Sequence, residues 1–166
     1  MNNGIDISFL GRLDAIYIGE RKRDNLQRME EVEAVPGRGL AGDRYSIGEG
    51  TFSKANAPDR EVTLIESEAL EGMAQETNVL IKPHEARRNL LTVGVPLNHL
   101  VGREFLVGDV LLKGLRLCEP CGHLESLTVL GVEKGLCHRG GLRAQILRGG
   151  ILRTGAAIRP FESGHA

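Results

Sequence analysis

The chain has no tryptophan, and aromatic residues make up only 4% of its 166 positions. That scarcity argues against surfaces built from stacked rings, such as a single-strand nucleic-acid platform or a carbohydrate-stacking site. An excess of either charge is also missing. The 21 Lys and Arg face 22 Asp and Glu, a formal net charge of −1, which speaks against a dedicated nucleic-acid binder and against an acidic disordered tail. No apolar run approaches the roughly 20 residues that cross a bilayer, and the polar start Met1-Asn2-Asn3-Gly4-Ile5-Asp6 lacks the features of a signal peptide. A cytoplasmic protein without membrane or nucleic-acid partners is the expectation. Cysteine is sparse and odd in number (Cys118, Cys121 and Cys137), so an extracellular disulfide framework is not expected and the thiols are open to metal or sulfur chemistry. Lysine is scarce too. Only Lys22, Lys54, Lys82, Lys113 and Lys134 stand among the 21 basic residues, and the other sixteen are Arg.

Glycine and arginine fill the space these absences leave. The 22 glycines are nearly twice the average usage of about 7%. The guanidinium fork suits phosphate and carboxylate oxygens, so the Arg excess hints at an oxyanion-bearing ligand; compositional bias is the other reading.

Brief apolar stretches bounded by Gly, Pro or Asp read as strands at 13–18, 29–35, 62–65, 90–93, 104–107, 110–117, 144–147 and 157–159. Residues 149–158, opened by Gly149-Gly150, read as a closing hairpin. Short strands at turn-rich spacing favour a barrel or sandwich over a parallel sheet. Residues 66–77 form the clearest helix, with Ala69, Leu70, Met73 and Ala74 on one stripe and Glu68 and Glu71 early. Pro83 opens a short helical turn, and another is expected near 124–130. One domain spanning 1–166, mainly β with a few short helices, is the expected architecture, with α+β as the alternative.

Three segments carry polar chemistry. The Gly-rich stretch 37–50 contains Asp43-Arg44-Tyr45; it either presents backbone amides to a ligand or is a hairpin loop in which Asp43 caps amides. In Arg87-Arg88-Asn89 one Arg can face an anion while the other pairs with Glu85 or an Asp, since neighbouring side chains on a helix end diverge. The stretch Cys118-Glu119-Pro120-Cys121-Gly122-His123 is the most informative. It is compatible with a tetrahedral zinc site drawing on Cys118, Cys121, Cys137 and one His. Against this, Cys137 and His138 are adjacent and diverge on either a strand or a helix. A thiol–disulfide pair is a second option, but it normally follows the first strand of a βαβ frame, which the strand pattern does not suggest. The third is a single reactive thiolate in a positive field from Arg139, Arg143 or His123, acting as a metal ligand or persulfide carrier. Small buried hydrophobes remain the structural reading of the cysteines.

In this order, 39–45 (Gly-Leu-Ala-Gly-Asp-Arg-Tyr), 60–66 (Arg-Glu-Val-Thr-Leu-Ile-Glu), Arg87-Arg88-Asn89-Leu90, Val107-Gly108-Asp109, Cys118 to Leu124, and 139–147 (Arg-Gly-Gly-Leu-Arg-Ala-Gln-Ile-Leu) resemble the MOSC domain, found at the C-terminus of molybdenum cofactor sulfurases and in stand-alone relatives. The resemblance implies a β-barrel that binds the molybdenum cofactor or carries sulfur. Cys121, in its Pro-Cys context, would be the catalytic thiol, ligating molybdenum or holding a persulfide. Arg87, Arg88, Asn89, Asp43, Arg139, Gly140 and His123 would surround the cofactor. Implied partners are molybdopterin or proteins that donate or accept sulfur. An alternative implied activity is reduction of N-hydroxylated compounds at molybdenum with an external redox partner. Nothing in the chain matches the pyridoxal-phosphate domain of the fused sulfurases. The sequence departs from the pattern at Gly155-Ala156-Ala157-Ile158, where the family reads Gly-Asp-x-Ile, which implies a lost turn contact.

Overall fold

A computed structural model describes residues 6–47 and 57–162; positions 48–50 of the Gly-rich stretch, Lys54 and the first five residues lie outside them. The chain runs β1 (Gly11–Ile18), β2 (Gln27–Met29), β3 (Glu31–Val35), β4 (Gly39–Leu40), β5 (Val62–Glu66), α1 (Ser67–Thr77), β6 (Leu90–Val93), β7 (Glu104–Val107), β8 (Val110–Leu117), α2 (Gly122–Ser126), α3 (Val132–Gly135), β9 (Leu142–Arg148), β10 (Gly150–Arg153) and β11 (Ala157–Pro160). Single 3-10 turns occupy Pro58–Arg60, Pro83–Ala86 and Leu97–Leu100.

Among the described residues, seven strands close in the order β11-β7-β8-β9-β5-β6-β1, and β1 pairs back onto β11. Closure leaves no free edge except where β2 extends from β1. A second sheet, β10-β3-β4, lies beside the barrel. The protein is mainly β, as the strand pattern predicts. Three features differ from the expectation. Residues 149–158 do not form a hairpin, because β10 pairs with β3 in the second sheet while β11 pairs with β7 and β1 in the barrel. The apolar alternation over 29–35 is divided at Glu30: β2 pairs with β1 in the barrel, whereas β3 pairs with β10 in the second sheet. No Gly or Pro marks this crossing, so alternation alone reads through it. The barrel also contains one parallel pair, β5 with β6, joined by α1. That is a βαβ unit, which the strand pattern did not suggest, although the cysteine pair follows β8 and not this frame.

The parallel pair divides the interior. Leu64 and Leu90 point into the barrel core with Leu13, Phe105, Leu112 and Leu142. Ile65 and Leu91 point outward and are covered by Leu70 and Met73 of α1, with Leu124 of α2, Val132 of α3 and Leu136 just after α3 completing the layer. A parallel pair packed on both faces reads as a continuous apolar run, and that is how 62–65 reads. Asn78 ends α1 in the left-handed region (φ 57), its N–H donating to Ala74 O at 3.0 Å. At the departure from the family pattern, the turn before β11 is held mainly by backbone contacts, with the Thr154 hydroxyl donating to Met29 O at 3.5 Å. Gly155 N–H donates to Leu13 O (2.7 Å), Ala156 N–H to Arg153 O (3.1 Å), and Leu13 N–H to Ala156 O (2.9 Å).

Candidate functional site

The segment after β8 leaves the barrel at Cys118, whose side chain is buried and whose N–H donates to Gly141 O at 2.7 Å. Pro120 cannot donate, and its fixed φ turns the chain outward. Cys121 therefore emerges exposed, in extended conformation, immediately before α2. Two thiols three positions apart thus end in opposite environments. Cys121 opens onto a small cleft of about 60 Å³ lined by Arg44, Arg87, Arg88, His123 and Arg143, with Tyr45, Glu119 and Leu124 completing the wall.

Each cation is set by a specific contact. Asp43 is fully buried and accepts from Gly19 N–H (3.1 Å) and Tyr45 N–H (3.4 Å), so the amide-capping reading of this residue describes its contacts. The same carboxylate takes Arg44 Nη1 at 3.3 Å, and the Arg44 guanidinium lies over the Tyr45 ring, 4.8 Å from its centre. Arg87 caps its 3-10 turn in the left-handed region (φ 59) and donates Nη1–H to Asp24 O at 2.7 Å; the Glu85 carboxylate accepts from Lys82 N–H instead. Burial, then the charge of Arg44, holds the Arg87 pKa below its ordinary value. His123 is likewise held below the usual imidazole value by burial and then by Arg23 and Arg87. Arg143 projects from β9, donates Nη1–H to Asp59 O at 3.3 Å, and leaves its buried Nε–H without a hydrogen-bond partner.

Arg88 is buried and ties three segments together. Its Nε–H donates to Gly140 O (2.9 Å), Nη1–H to Ala86 O (3.2 Å) and Nη2–H to Cys118 O (3.2 Å). Gly140 matters by its lack of a side chain, since a Cβ there would stand 2.5 Å from Cys118 O and 2.8 Å from Pro120 Cδ. The turn before β9 can therefore lie flat against the cysteine segment.

The structure thus gathers Cys121, Arg87, Arg88 and His123 around one cleft, with Asp43 behind Arg44 and Gly140 behind Arg88. Two residues of the sequence reading sit elsewhere. Asn89 is buried inside the barrel wall, where its Oδ1 accepts from the Thr63 N–H and hydroxyl (3.1 Å each) and its Nδ2–H donates to Tyr17 O (3.2 Å). Arg139 faces α1, forming a forked pair with Glu76 (3.1 and 2.6 Å) and donating Nε–H to Gly135 O at 2.8 Å. Arg44, Tyr45, Glu119 and Arg143 also line the cleft. The Arg in 39–45 and in 139–147 were legible as motif residues, but only the register of β9 shows that Arg143, and not Arg139, faces Cys121. Among the described residues, no cluster of potential metal ligands unites Cys118, Cys121 and Cys137, because Cys118 is buried and Cys121 is turned outward. The zinc alternative built on those three thiols is not what the fold assembles.

No helix of the described residues is long and apolar enough to cross a membrane. No curated protein matches the chain. The fold is shared with the YUAD protein from Bacillus subtilis, at 17% identity and a TM-score of 0.74, over 94% of this chain and 99% of that one. YiiM from Geobacillus stearothermophilus is similar at 16% identity and a TM-score of 0.70, over 94% of this chain and 77% of that one. YiiM from Escherichia coli gives 17% and 0.66, over 97% and 73%. The sequence model of the MOSC domain matches residues 51–159, and the chain belongs to the MOSC domain family.

Proposed function

We propose that this protein works through the Cys121 thiolate, which carries sulfur as a persulfide or ligates molybdenum of a pterin cofactor in the Arg-lined cleft. The observation that carries the reading is the sorting of the three thiols. Cys121 alone is both exposed and in the cleft, whereas Cys118 is buried and Cys137 lies outside the lining. The residues present fit an anionic group. Arg44, Arg87 and Arg143 converge there, and a guanidinium combines positive charge with a fork suited to oxyanions. Arg87 and Arg143 would hold a phosphate-bearing arm of the cofactor, and Cys121 would supply the soft ligand that molybdenum accepts. When bound, the cofactor would supply a redox-active metal centre. Asp43 holds Arg44 in place, and Arg88 with Gly140 fixes the segment that presents the thiol.

Sulfur carriage needs no external oxidant. The Cys121 thiolate attacks the outer sulfur of a donor persulfide, a new S–S bond forms, and the donor thiolate leaves with the electron pair of the broken bond. The partners under this reading are proteins that donate or accept sulfur, or that deliver the pterin. The test is the content of molybdenum, pterin and cyanide-labile sulfur after expression in a host that makes the cofactor. Molybdenum or labile sulfur present in the wild type and absent from Cys121→Ser supports the reading. A wild type lacking molybdenum, pterin and labile sulfur overturns it.

A further inference from the structure

A second cluster of ligating atoms lies outside the thiol chemistry of Cys121. The Cys137 thiol, the His138 imidazole and a Glu119 carboxylate oxygen stand within 4.8 Å of one another, all exposed. Adjacent residues on a strand or helix would diverge, but this junction is neither. Cys137 follows α3, and His138 takes up a left-handed backbone (φ 61), uncommon for a residue with a Cβ. That turn swings both side chains to the same side. Two contacts hold it: Asn98 Nδ2–H donates to His138 O at 2.6 Å, and His138 N–H donates to Glu119 Oε2 at 3.0 Å.

We infer that Glu119, Cys137 and His138 form a binding site for a zinc-like divalent ion, with one position open to water. Thiolate, imidazole and carboxylate together are a donor set suited to such an ion, and three protein ligands plus one open position is the arrangement of reactive zinc centres. The spacing agrees. His138 Nδ1 and Glu119 Oε1 are 3.4 Å apart, long for a hydrogen bond. A tetrahedral ion with Zn–N and Zn–O bonds of about 2.1 Å separates its ligands by about 3.4 Å, so this edge of the site is already formed. Closing the 4.8 Å envelope onto the ion requires the exposed Cys137 side chain to shift by about 1 Å, within its rotamer freedom. Nδ1 binds through its lone pair, which places any imidazole proton on Nε2. Glu119 also lines the Cys121 cleft, so an ion held here stands beside the proposed sulfur site and stiffens the Cys118–Cys121 segment.

Cobalt(II) is the probe, added to the full-length chain after chelator treatment and reduction. The expected result is one equivalent bound, with a thiolate-to-cobalt charge-transfer absorption that zinc abolishes by displacement. Cys137→Ser removes that absorption. His138→Gln and Glu119→Gln weaken binding by at least about tenfold, as loss of even a supporting contact often does. Cys121→Ser leaves the absorption intact, which separates this site from the persulfide or molybdenum reading. All four variants alter exposed side chains, and far-ultraviolet circular dichroism confirms that each is folded. A wild type without the absorption overturns the inference, as does its survival in Cys137→Ser or its loss in Cys121→Ser.

Discussion

Replacing Arg88 separates a ligand arm from an internal brace. The sequence reading makes it an anion-binding residue, and its motif position supports that. In the fold its Nε, Nη1 and Nη2 each donate to a carbonyl, on Gly140, Ala86 and Cys118, and all three residues are buried. A hydrogen bond from a charged donor contributes about 1.5–3 kcal/mol net, and such contributions within one cluster do not simply add. Arg88→Ala deletes all three and leaves buried carbonyls without partners, so a loss of about 3–5 kcal/mol is expected. For a domain of this size that corresponds to a melting point lower by about 6–20 °C. Arg88→Lys keeps the charge but not the fork; it reaches one or two carbonyls and should lose about half as much. Thermal and urea denaturation of the three proteins measures this, with phosphate binding followed in parallel. A melting point within about 2 °C of wild type in Arg88→Ala, together with lost phosphate binding, would refute the brace.

Other consequences rest on neighbouring contacts. Gly141 has φ +114, and a Cβ there would collide with Leu64 O; Gly141→Ala should cost more than about 3 kcal/mol, seen as failed expression or a collapsed denaturation midpoint. Burial, and secondarily Glu68, raises the Glu66 pKa to about 7. Because the folded value lies above the unfolded one, the stability contributed by protonated Glu66 is full below about pH 4.5. It is lost as pH rises through about 7. Glu66→Gln should therefore match wild type at about pH 4.5 and exceed it at about pH 8 in melting experiments; equal pH profiles would contradict the assignment. Arg139→Ala removes the solvent-screened pair with Glu76 and the Nε–H donation to Gly135 O and should lower the melting point only slightly while leaving labile sulfur on Cys121 unchanged. Arg143→Gln should weaken phosphate binding and, by losing the Nη1–H donation to Asp59 O, lower stability by about 1 kcal/mol.

Much of the barrel was legible because its strands are short, apolar and punctuated. The apolar runs 90–93, 104–107 and 110–117 coincide with β6, β7 and β8, and Met73 on the predicted stripe of α1 is fully buried. What could not be read was pairing. Glu30 carries no turn chemistry, yet the chain changes sheets there. The parallel pairing of β5 and β6 is a long-range choice that leaves only a doubly apolar run in the sequence. The same holds at the site. The Cys-Glu-Pro-Cys spacing suggested two thiols folded toward one point, but one side of that turn is anchored by Arg88 and Gly141 in the wall, so only Cys121 is delivered to solvent. Adjacent arginines gave no indication that Arg88 would be consumed by carbonyls while Arg87 faces the cleft. His138 likewise leaves no mark in sequence of the left-handed turn that aligns it with Cys137.

The central claim is that one thiol of three does the chemistry, and sulfur and molybdenum content across single cysteine variants tests it most directly. Wild type, Cys118→Ala, Cys121→Ser and Cys137→Ser, purified from a host that makes the molybdenum cofactor, are each assayed for cyanide-labile sulfur and bound molybdenum. The account predicts that both Cys118→Ala and Cys137→Ser retain the wild-type signal and that Cys121→Ser abolishes it with the fold intact. A signal that survives in Cys121→Ser would contradict it.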